Sequence, residues 1–445
     1  MRVRRLIAIW AAKIVSTVCK ISGKQGVTFA GKVALKIDSS ILKDLSSQVR
    51  EKIFVVCGTN GKTTTNNLLC SAIESEGKKL VCNHTGSNML AGVVAAFVLS
   101  AKNNGKLDAD YACIEIDEAS TLRIFPHFKP DYMVLTNLFR DQLDRYGEID
   151  ITMDMLNRAM KMAPDMTVIV NGDDALSAYL AMESGNPYKT YGITERVFDS
   201  QSEHEIREGR FCKKCGARLE YEFYHYSQIG KYNCPSCDFT RPKIDFDASH
   251  IDMSHGLSFD VEGRHITADY KGFYNIYNIL AAYRAARTAG MKLKNFDKVL
   301  SDFNPQNGRR DEFEIDGTHI ILNLAKNPAG FNQNISAVME DTKEKDIIIV
   351  INDNAQDGTD ISWLWDVDFD RFSEDNIHSI TVSGIRCQDM RLRMKYVGIQ
   401  SELIPNVKSA IEARIKDGCK NLYVLVNYTA LFSTRNILVD MKGKK

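Results

Sequence analysis

Short apolar runs and longer segments of helical spacing take turns along the N-terminal half of the chain. The runs are IFVVC (53–57), KLVCN (79–83), DYACIEID (110–117), DYMVLTN (131–137) and MTVIVNGDD (166–174). Between them lie a helix-like segment from Thr64 and the small-residue stretch MLAGVVAAFVLSA (89–101). Such βα alternation predicts a mostly parallel sheet covered by helices. The order breaks near Gly192, where residues 200–245 turn polar and rich in Cys and Tyr. Short alternating strands (247–270) follow, then a helix from Asn278 to Gly290 with Leu280, Tyr283 and Ala286 on one face. A loop around Pro305 and Gly308 reads as a domain boundary. Beyond it the alternation restarts with THIILNLA (318–325), KDIIIVIND (345–353), HSITVSG (378–384) and NLYVLVNY (421–428).

The expected organisation is an N-terminal helical segment (1–46), a central α/β domain (47–304) with an insert (200–245), and a second, Rossmann-like α/β domain (305–445). A chain of 445 residues suits two or three domains. Lys+Arg and Asp+Glu are 57 each, so no overall bias toward a polyanion shows. The start, MRVRRLIAIWAAKIVSTVCK, is basic and then apolar, but Lys13 interrupts the run and no convincing cleavage site follows. It is too short to span a bilayer. It reads as an amphipathic helix packed on the protein itself, with a membrane-surface role as the lesser alternative. A soluble, cytoplasmic chain is expected. Eleven cysteines at mostly irregular spacings suit reduced thiols rather than a disulfide framework.

Three patterns carry chemistry. CGTNGKTT (57–64) follows an apolar strand and opens a helix, the shape of a phosphate-binding loop. Gly58, Thr59, Asn60, Gly61 and Thr64 offer backbone N–H groups, Lys62 a point charge, and Thr63 the hydroxyl position that ligates Mg²⁺. Val56 stands where the general pattern has its first glycine. The second pattern is C-x2-C-x18-C-x2-C, formed by Cys212, Cys215, Cys234 and Cys237. Four thiolates can enclose one tetrahedral Zn²⁺ and leave no place for water, so a zinc ribbon with a structural or interaction role is expected. Third, Asp353, Asp357, Asp360, Asp366 and Asp368 crowd behind a strand, beside Trp363 and Trp365. That is a solvated face or a metal loop, unless the Trp pair marks a buried or interfacial surface.

GTNGKTT after an apolar strand resembles the Mur ligase superfamily, whose members make an acyl phosphate from a carboxylate and ATP and let an amine displace phosphate. Further likenesses follow in order. CIEIDEAS (113–120) places Glu115 and Glu118 at the C-terminal end of a strand, where ligand sites of open parallel sheets gather, and its likeness to the family implies Mg²⁺ on Glu115; solvated loop charges are the alternative for Asp117 and Glu118. TNLFRDQLDRYGE (136–148) resembles its TN segment and implies a nucleotide-site role for Asn137, though Gln142 replaces a usual His and leaves the metal count open. YKGFYNIYNILAAYRAA (270–286) implies Asn275 and Asn278 near adenine. NGRRDEF implies Arg309 on the γ-phosphate, with Arg310 second, and LNLAKNPAG implies that Lys326 reaches ATP or the acyl phosphate. A carbamylated lysine cannot be placed; Lys161 is the nearest guess.

The full set, with the four-Cys insert and DNAQDGTDISWLWD (353–366), resembles the MurT family of synthetase subunits. That likeness implies a Mur ligase-type ATPase domain. It also implies amidation of the D-isoglutamate α-carboxylate of lipid II to D-isoglutamine at the inner face of the cell membrane. Ammonia would come from a separate GatD-type glutaminase in a heterodimer, with Asp360 completing the partner's triad and Asp357 and Asp353 as lesser alternatives. An autonomous amino-acid ligase and a non-catalytic ATP-binding scaffold are the rival readings. A nucleic-acid-binding zinc protein is a third, opposed by the zero net charge.

Overall fold

The computed structural model describes residues 2–21, 26–83, 87–141, 148–198, 208–269, 272–303, 309–354, 356–373 and 376–443. Pro305 and Gly308 of the expected boundary loop lie outside the described residues, as does Gln142. The chain divides into two compact units: residues 1–138, 149–199 and 209–303, and residues 139–148, 200–208 and 304–445.

The first unit is built on a sheet of nine strands, in the order β11-β10-β9-β6-β5-β4-β1-β3-β2. Its centre is β1 (Lys52–Cys57), flanked by β3 (Tyr111–Glu115) and β4 (Tyr132–Leu135), both parallel to it. Phe54, Val55, Val56 and Cys57 are fully buried, as an interior strand covered on both faces requires. The sheet continues in parallel through β5 (Thr167–Asn171), β6 (Tyr188–Ile193) and β9 (Phe246–Asp252). On the far side of β3 lies β2 (Leu80–Cys82), also parallel. The alternating segment 247–270 supplies β9, β10 (Leu257–Val261) and β11 (Arg264–Ala268), an antiparallel edge of this same sheet.

Helix α1 (Arg2–Ile21) packs on α2 (Val27–Ile37), and α2 packs on the later helix Leu90–Ser100. Small residues permit that approach: a Cβ on Gly31 would lie 1.7 Å from the Ala91 carbonyl oxygen. The helix expected from Asn278 runs instead over Tyr274–Thr288. Its start is earlier because Gly272 (φ +87°) turns the chain just before it, which puts both Asn275 and Asn278 in its opening turns. No helix among the described residues is long and apolar enough to cross a membrane.

The cysteine-rich insert carries an antiparallel hairpin, β7 (Glu220–Tyr226) and β8 (Ile229–Asn233). It packs through Leu219, Tyr232 and Phe239 on Ala175 and Ala178. A buried polar knot ties it down. The Asp173 carboxylate accepts from Arg241 Nε (2.6 Å), the Tyr277 hydroxyl (2.7 Å) and the Ile193 N–H (2.7 Å), and His225 of the hairpin pairs with Tyr277 (2.7 Å).

The second unit has a six-stranded sheet, β12-β13-β17-β14-β15-β16. The hairpin of β12 (Arg309–Ile315) and β13 (Thr318–Leu324) turns through Asp316 and Gly317, both at positive φ, a favoured two-residue turn. The other strands, β14 (Lys345–Val350), β15 (Ile377–Ser383), β16 (Glu402–Leu403) and β17 (Asn421–Val426), pair in parallel. Alternation along β14 sends Ile347 and Ile349 toward Phe331, Ile335 and Met390, and Ile348 and Val350 toward Ala410, Ile411 and Leu438. Helices therefore cover both faces.

Asp173 is fully buried and Arg241 is its one cationic partner among the described residues. Arg241→Ala strands that charge and is expected to destabilise the first unit by about 3–5 kcal/mol. A shift of the urea midpoint to lower concentration, with the slope unchanged, checks this.

Candidate active site

The phosphate loop leaves β1 at Cys57 and enters the helix Lys62–Ser75. Gly58 (φ +118°) and Gly61 (φ +82°) take left-handed conformations that favour glycine. Space imposes the same choice. A Cβ on Gly58 would lie 2.3 Å from Thr136 Oγ1, and one on Gly61 would lie 2.1 Å from Asn278 Oδ1.

The TN segment that follows β4 braces the loop. The Thr59 N–H donates to the Asn137 carbonyl (2.8 Å) and the Asn60 N–H to Asn137 Oδ1 (2.9 Å). Asn137 Nδ2 and Thr136 Oγ1 both donate to the Asn60 carbonyl, at 3.2 and 2.7 Å. Helix Tyr274–Thr288 closes on the other side: Asn278 Oδ1 faces Gly61 and accepts from Thr65 Oγ1 (3.4 Å), while Asn278 Nδ2 donates to Asn275 Oδ1 (2.9 Å). The loop residues 58–64, Asn137, Asn275 and Asn278 thus converge.

Lys62 is buried and donates to Glu118 Oε1 (2.9 Å) and to the Gly58 carbonyl. Glu118 also receives the Gly58 N–H (2.8 Å). Burial alone lowers an ammonium pKa, but Glu118, Asp117 and Glu115 together carry Lys62 above the ordinary lysine value. Burial pushes Glu118 upward and Lys62 opposes it. The proton stays on Lys62, because three carboxylates face one ammonium. Asp117 and Glu118, which in sequence look like solvated loop charges, are both buried. The available signal was position: Glu118 sits one turn past a strand end that already carries Glu115.

Glu115 ends β3 and is 3% exposed. Asn83 fixes its backbone through two hydrogen bonds of 2.8 Å, and Asn88 Nδ2 donates to Oε1 (2.9 Å). Its Oε2 is buried without a hydrogen-bond partner among the described residues. An anionic oxygen left so is a strong acceptor in search of a cation. A carboxylate oxygen of this kind suits a hard ion such as Mg²⁺, and Thr63, half-buried in the first turn of the helix that Lys62 opens, is the hydroxyl that the loop's pattern offers. Nothing in the sequence marks Asn83 and Asn88, because their hold on Glu115 exists only in the folded chain. Lys161 is exposed at the end of its helix.

In the second unit, Lys326 Nζ pairs with Asp141 Oδ2 (2.6 Å) just before the helix Pro328–Met339, which Asn327 caps. The side chains of Arg309 and Arg310 lie outside the described residues; the backbone of Arg309 opens β12. The crowded aspartates separate by partner. Asp353 pairs with Arg386 (2.7 Å), and Asp357 is buried and accepts both the N–H and hydroxyl of Thr429. Burial raises the pKa of Asp357 and those Thr429 bonds oppose it. Asp360 accepts only the Ser362 N–H (2.8 Å) among the described contacts and is half-buried. Trp363 packs against Phe331, whereas Trp365 stands half-exposed against Tyr396.

The four cysteines of the insert meet with all their Sγ atoms within 4.8 Å of one another. Cys212 and Cys237 are 3.6 Å apart, Cys215 and Cys234 3.4 Å. These spacings suit four sulfurs around one ion at about 2.3 Å each. Burial opposes it, but the Ser236 N–H and the neighbouring thiols bring Cys234 down to about 7. Titration with Co²⁺ is expected to give tetrahedral thiolate absorption bands saturating at one ion per chain, and Cys215→Ser is expected to lose them. Visible absorption spectroscopy reads both.

Residues 56–235 match the Mur ligase middle domain family and residues 324–431 the MurT ligase C-terminal family. The lipid II isoglutaminyl synthase (glutamine-hydrolyzing) subunit MurT of Staphylococcus aureus is 34% identical, with 90% of each chain covered. Its counterpart from Streptococcus pneumoniae is also 34% identical, covering 94% of this chain and 93% of that one. Among solved structures, the pseudomurein peptide ligase type C of Methanothermus fervidus superposes with TM-score 0.72 at 20% identity, covering 88% of this chain and 79% of that one. MurF from Acinetobacter baumannii gives TM-score 0.65 at 15% identity, with 93% and 80% covered. These two likenesses speak for the fold, the curated relatives for the family. With a third of its residues shared over nine-tenths of its length, the chain belongs to the MurT family of Mur ligases.

Proposed function

We propose that this chain is the ATP-consuming synthetase of a lipid II isoglutaminyl synthase. It converts the α-carboxylate of D-isoglutamate in the lipid II stem peptide to the amide of D-isoglutamine, in peptidoglycan synthesis at the inner face of the cell membrane. The observation that carries the reading is the unpartnered buried Oε2 of Glu115 beside the braced loop of Lys62. A cation–phosphate site of that kind serves phosphoryl transfer to an acceptor oxygen.

In the reaction, a carboxylate oxygen of the substrate attacks the γ-phosphorus, the bond to the bridging oxygen of ADP breaks, and an acyl phosphate forms. Ammonia then adds to the acyl carbon, phosphate departs with the former carboxylate oxygen, and a proton leaves the nitrogen. Mg²⁺ on Glu115 and Thr63 supplies charge neutralisation for the phosphates when bound. Lys62 exchanges Glu118 for phosphate oxygens, and the loop N–H groups of residues 58–64 hold the chain of phosphates in line. Asn275 and Asn278 address the adenine, where an amide donates and accepts at once. Arg309 and Lys326 are the further cations assigned to the phosphoryl group. Zn²⁺ in the Cys212–Cys215–Cys234–Cys237 site is structural, since four thiolates leave no open position.

The nitrogen comes from a GatD-type glutaminase partner, whose histidine Asp360 orients as the third member of a triad. Support comes from the contrast among the aspartates: Asp353 and Asp357 are committed to Arg386 and Thr429, while Asp360 is held by a single N–H. The half-exposed Trp365 and the exposed Tyr396 suit a partner surface in the same unit. Asp360→Asn in the two-subunit complex is expected to abolish glutamine hydrolysis and leave ATP affinity unchanged. Lys62→Ala is expected to lower ADP release about a hundredfold or more. Glutamate and ADP assays on the same preparations decide it. Normal glutaminase activity in the Asp360 variant rejects the triad assignment.

A further inference from the structure

One face of α1 is left over by the packing just described. Val3, Ile7, Trp10, Ile14, Val18 and Ile21 are 70, 49, 49, 64, 58 and 82% exposed. Their steps of three and four residues place them in one stripe along a helix of 20 residues. At about 100° per residue, the stripe lies opposite Ala8, Ile9, Ala12 and Ser16, the buried side of the same helix. The helix is therefore apolar on two sides and uses one of them to hold on to its own protein. Scattered exposed apolar residues need no explanation, but a continuous row of six large ones does.

Charge says what the row faces. Residues 1–37 contain eight Lys or Arg and no Asp or Glu, in a chain whose total charge is zero. Arg5 and Lys13 are committed inward, to Asp44 and to the Ala101 carbonyl. Arg4, Lys20, Lys32 and Lys36 remain exposed. Phe29, 56% exposed at the start of α2, adds to the apolar surface. Trp10 is fixed by its own polar atom: the indole N–H donates to the Asn103 carbonyl (2.9 Å), which holds the half-exposed ring in place.

We propose that α1, with the start of α2, lies in the plane of an anionic lipid surface and seats its exposed stripe among the acyl chains. An apolar stripe on a segment that carries cations and no acid of its own, together with a tryptophan, is the composition of an interfacial helix. A second copy of the chain fits less well, because a two-fold pairing would bring two purely basic segments together. The inference deepens the reading above, on which its purpose rests: a substrate anchored in a bilayer is met by an enzyme that docks there.

The test uses the full chain and vesicles free of lipid II, made either of phosphatidylcholine alone or with phosphatidylglycerol. The intact protein is expected to sediment with the anionic vesicles, less so as salt rises, and to ignore the neutral ones. Ile7→Ser/Ile14→Ser is expected to weaken binding about tenfold or more, and Lys20→Glu/Lys32→Glu/Lys36→Glu to remove its lipid selectivity. Both variants should keep the melting temperature and nucleotide affinity of the parent. In the complex with the glutaminase, the apolar variant is expected to lose rate on lipid II in vesicles and keep its rate on a lipid-free muropeptide. Equal vesicle binding by parent and variants overturns the proposal. So does a dimer, or an association with the glutaminase, that the apolar variant abolishes. Should no preparation amidate either substrate, the functional reading fails, while the vesicle measurement still judges the helix.

Discussion

The side-chain amide of Asn137 reaching across the phosphate loop is the contact on which the site is built. A glycine loop in left-handed conformations has little reason of its own to stay in one shape. Here one residue gives its carbonyl to the Thr59 N–H, its Oδ1 to the Asn60 N–H and its Nδ2 to the Asn60 carbonyl. Asn137 can do so because β4 pairs in parallel with β1, with Cys57 beside Leu135. Both strands consequently release their loops at the same edge, as ligand sites of open parallel sheets require.

The brace is itself braced, and the cysteine-rich insert takes part. The Leu138 N–H donates to Asp174 Oδ2 (2.8 Å), and Gln228 at the hairpin's turn donates to both the Leu138 carbonyl (2.7 Å) and Asp174 Oδ1 (2.9 Å). Asp174 and Gln228 are fully buried, so each bond is strong and each orphaned partner costly. The insert also grips the helix of Asn275 and Asn278 through His225 and Tyr277. It is thus joined to the segment that braces the loop and to the helix beside it by polar contacts, although its four-cysteine end stands apart in the sequence as a self-contained module.

What could be read in advance followed from local rules. The parallel runs, the Gly58–Gly61 loop and the four-cysteine spacing are each a short-range pattern, and each stands where its pattern put it. The grouping of Asn137, Asn275 and Asn278 came from likeness to a family, and the fold brings these residues to the loop. Residues whose role is tertiary stayed hidden. Glu118 stands at a strand end where ligand sites gather, but its pairing with Lys62 exists only in the fold, and Asn88 is an ordinary loop amide until it turns to Glu115. The apolar period points to a later start for helix Tyr274–Thr288 because Asn275 and the Tyr277 hydroxyl interrupt it; Asn275 is paired with Asn278 one turn on, and Tyr277 with Asp173 and His225 in other segments. The alternating strands after the insert gave no hint that they would extend the main sheet, since pairing at an edge leaves no mark on a single strand.

The central claim is that a carboxylate is activated as an acyl phosphate before nitrogen arrives, and heavy oxygen tests it most directly. Lipid II labelled with oxygen-18 in the D-isoglutamate α-carboxylate is incubated with the two-subunit complex, ATP and glutamine, and the released phosphate is weighed by mass spectrometry. The account predicts one labelled oxygen in each phosphate formed, in step with amide. Phosphate that carries no label while amide accumulates would contradict it.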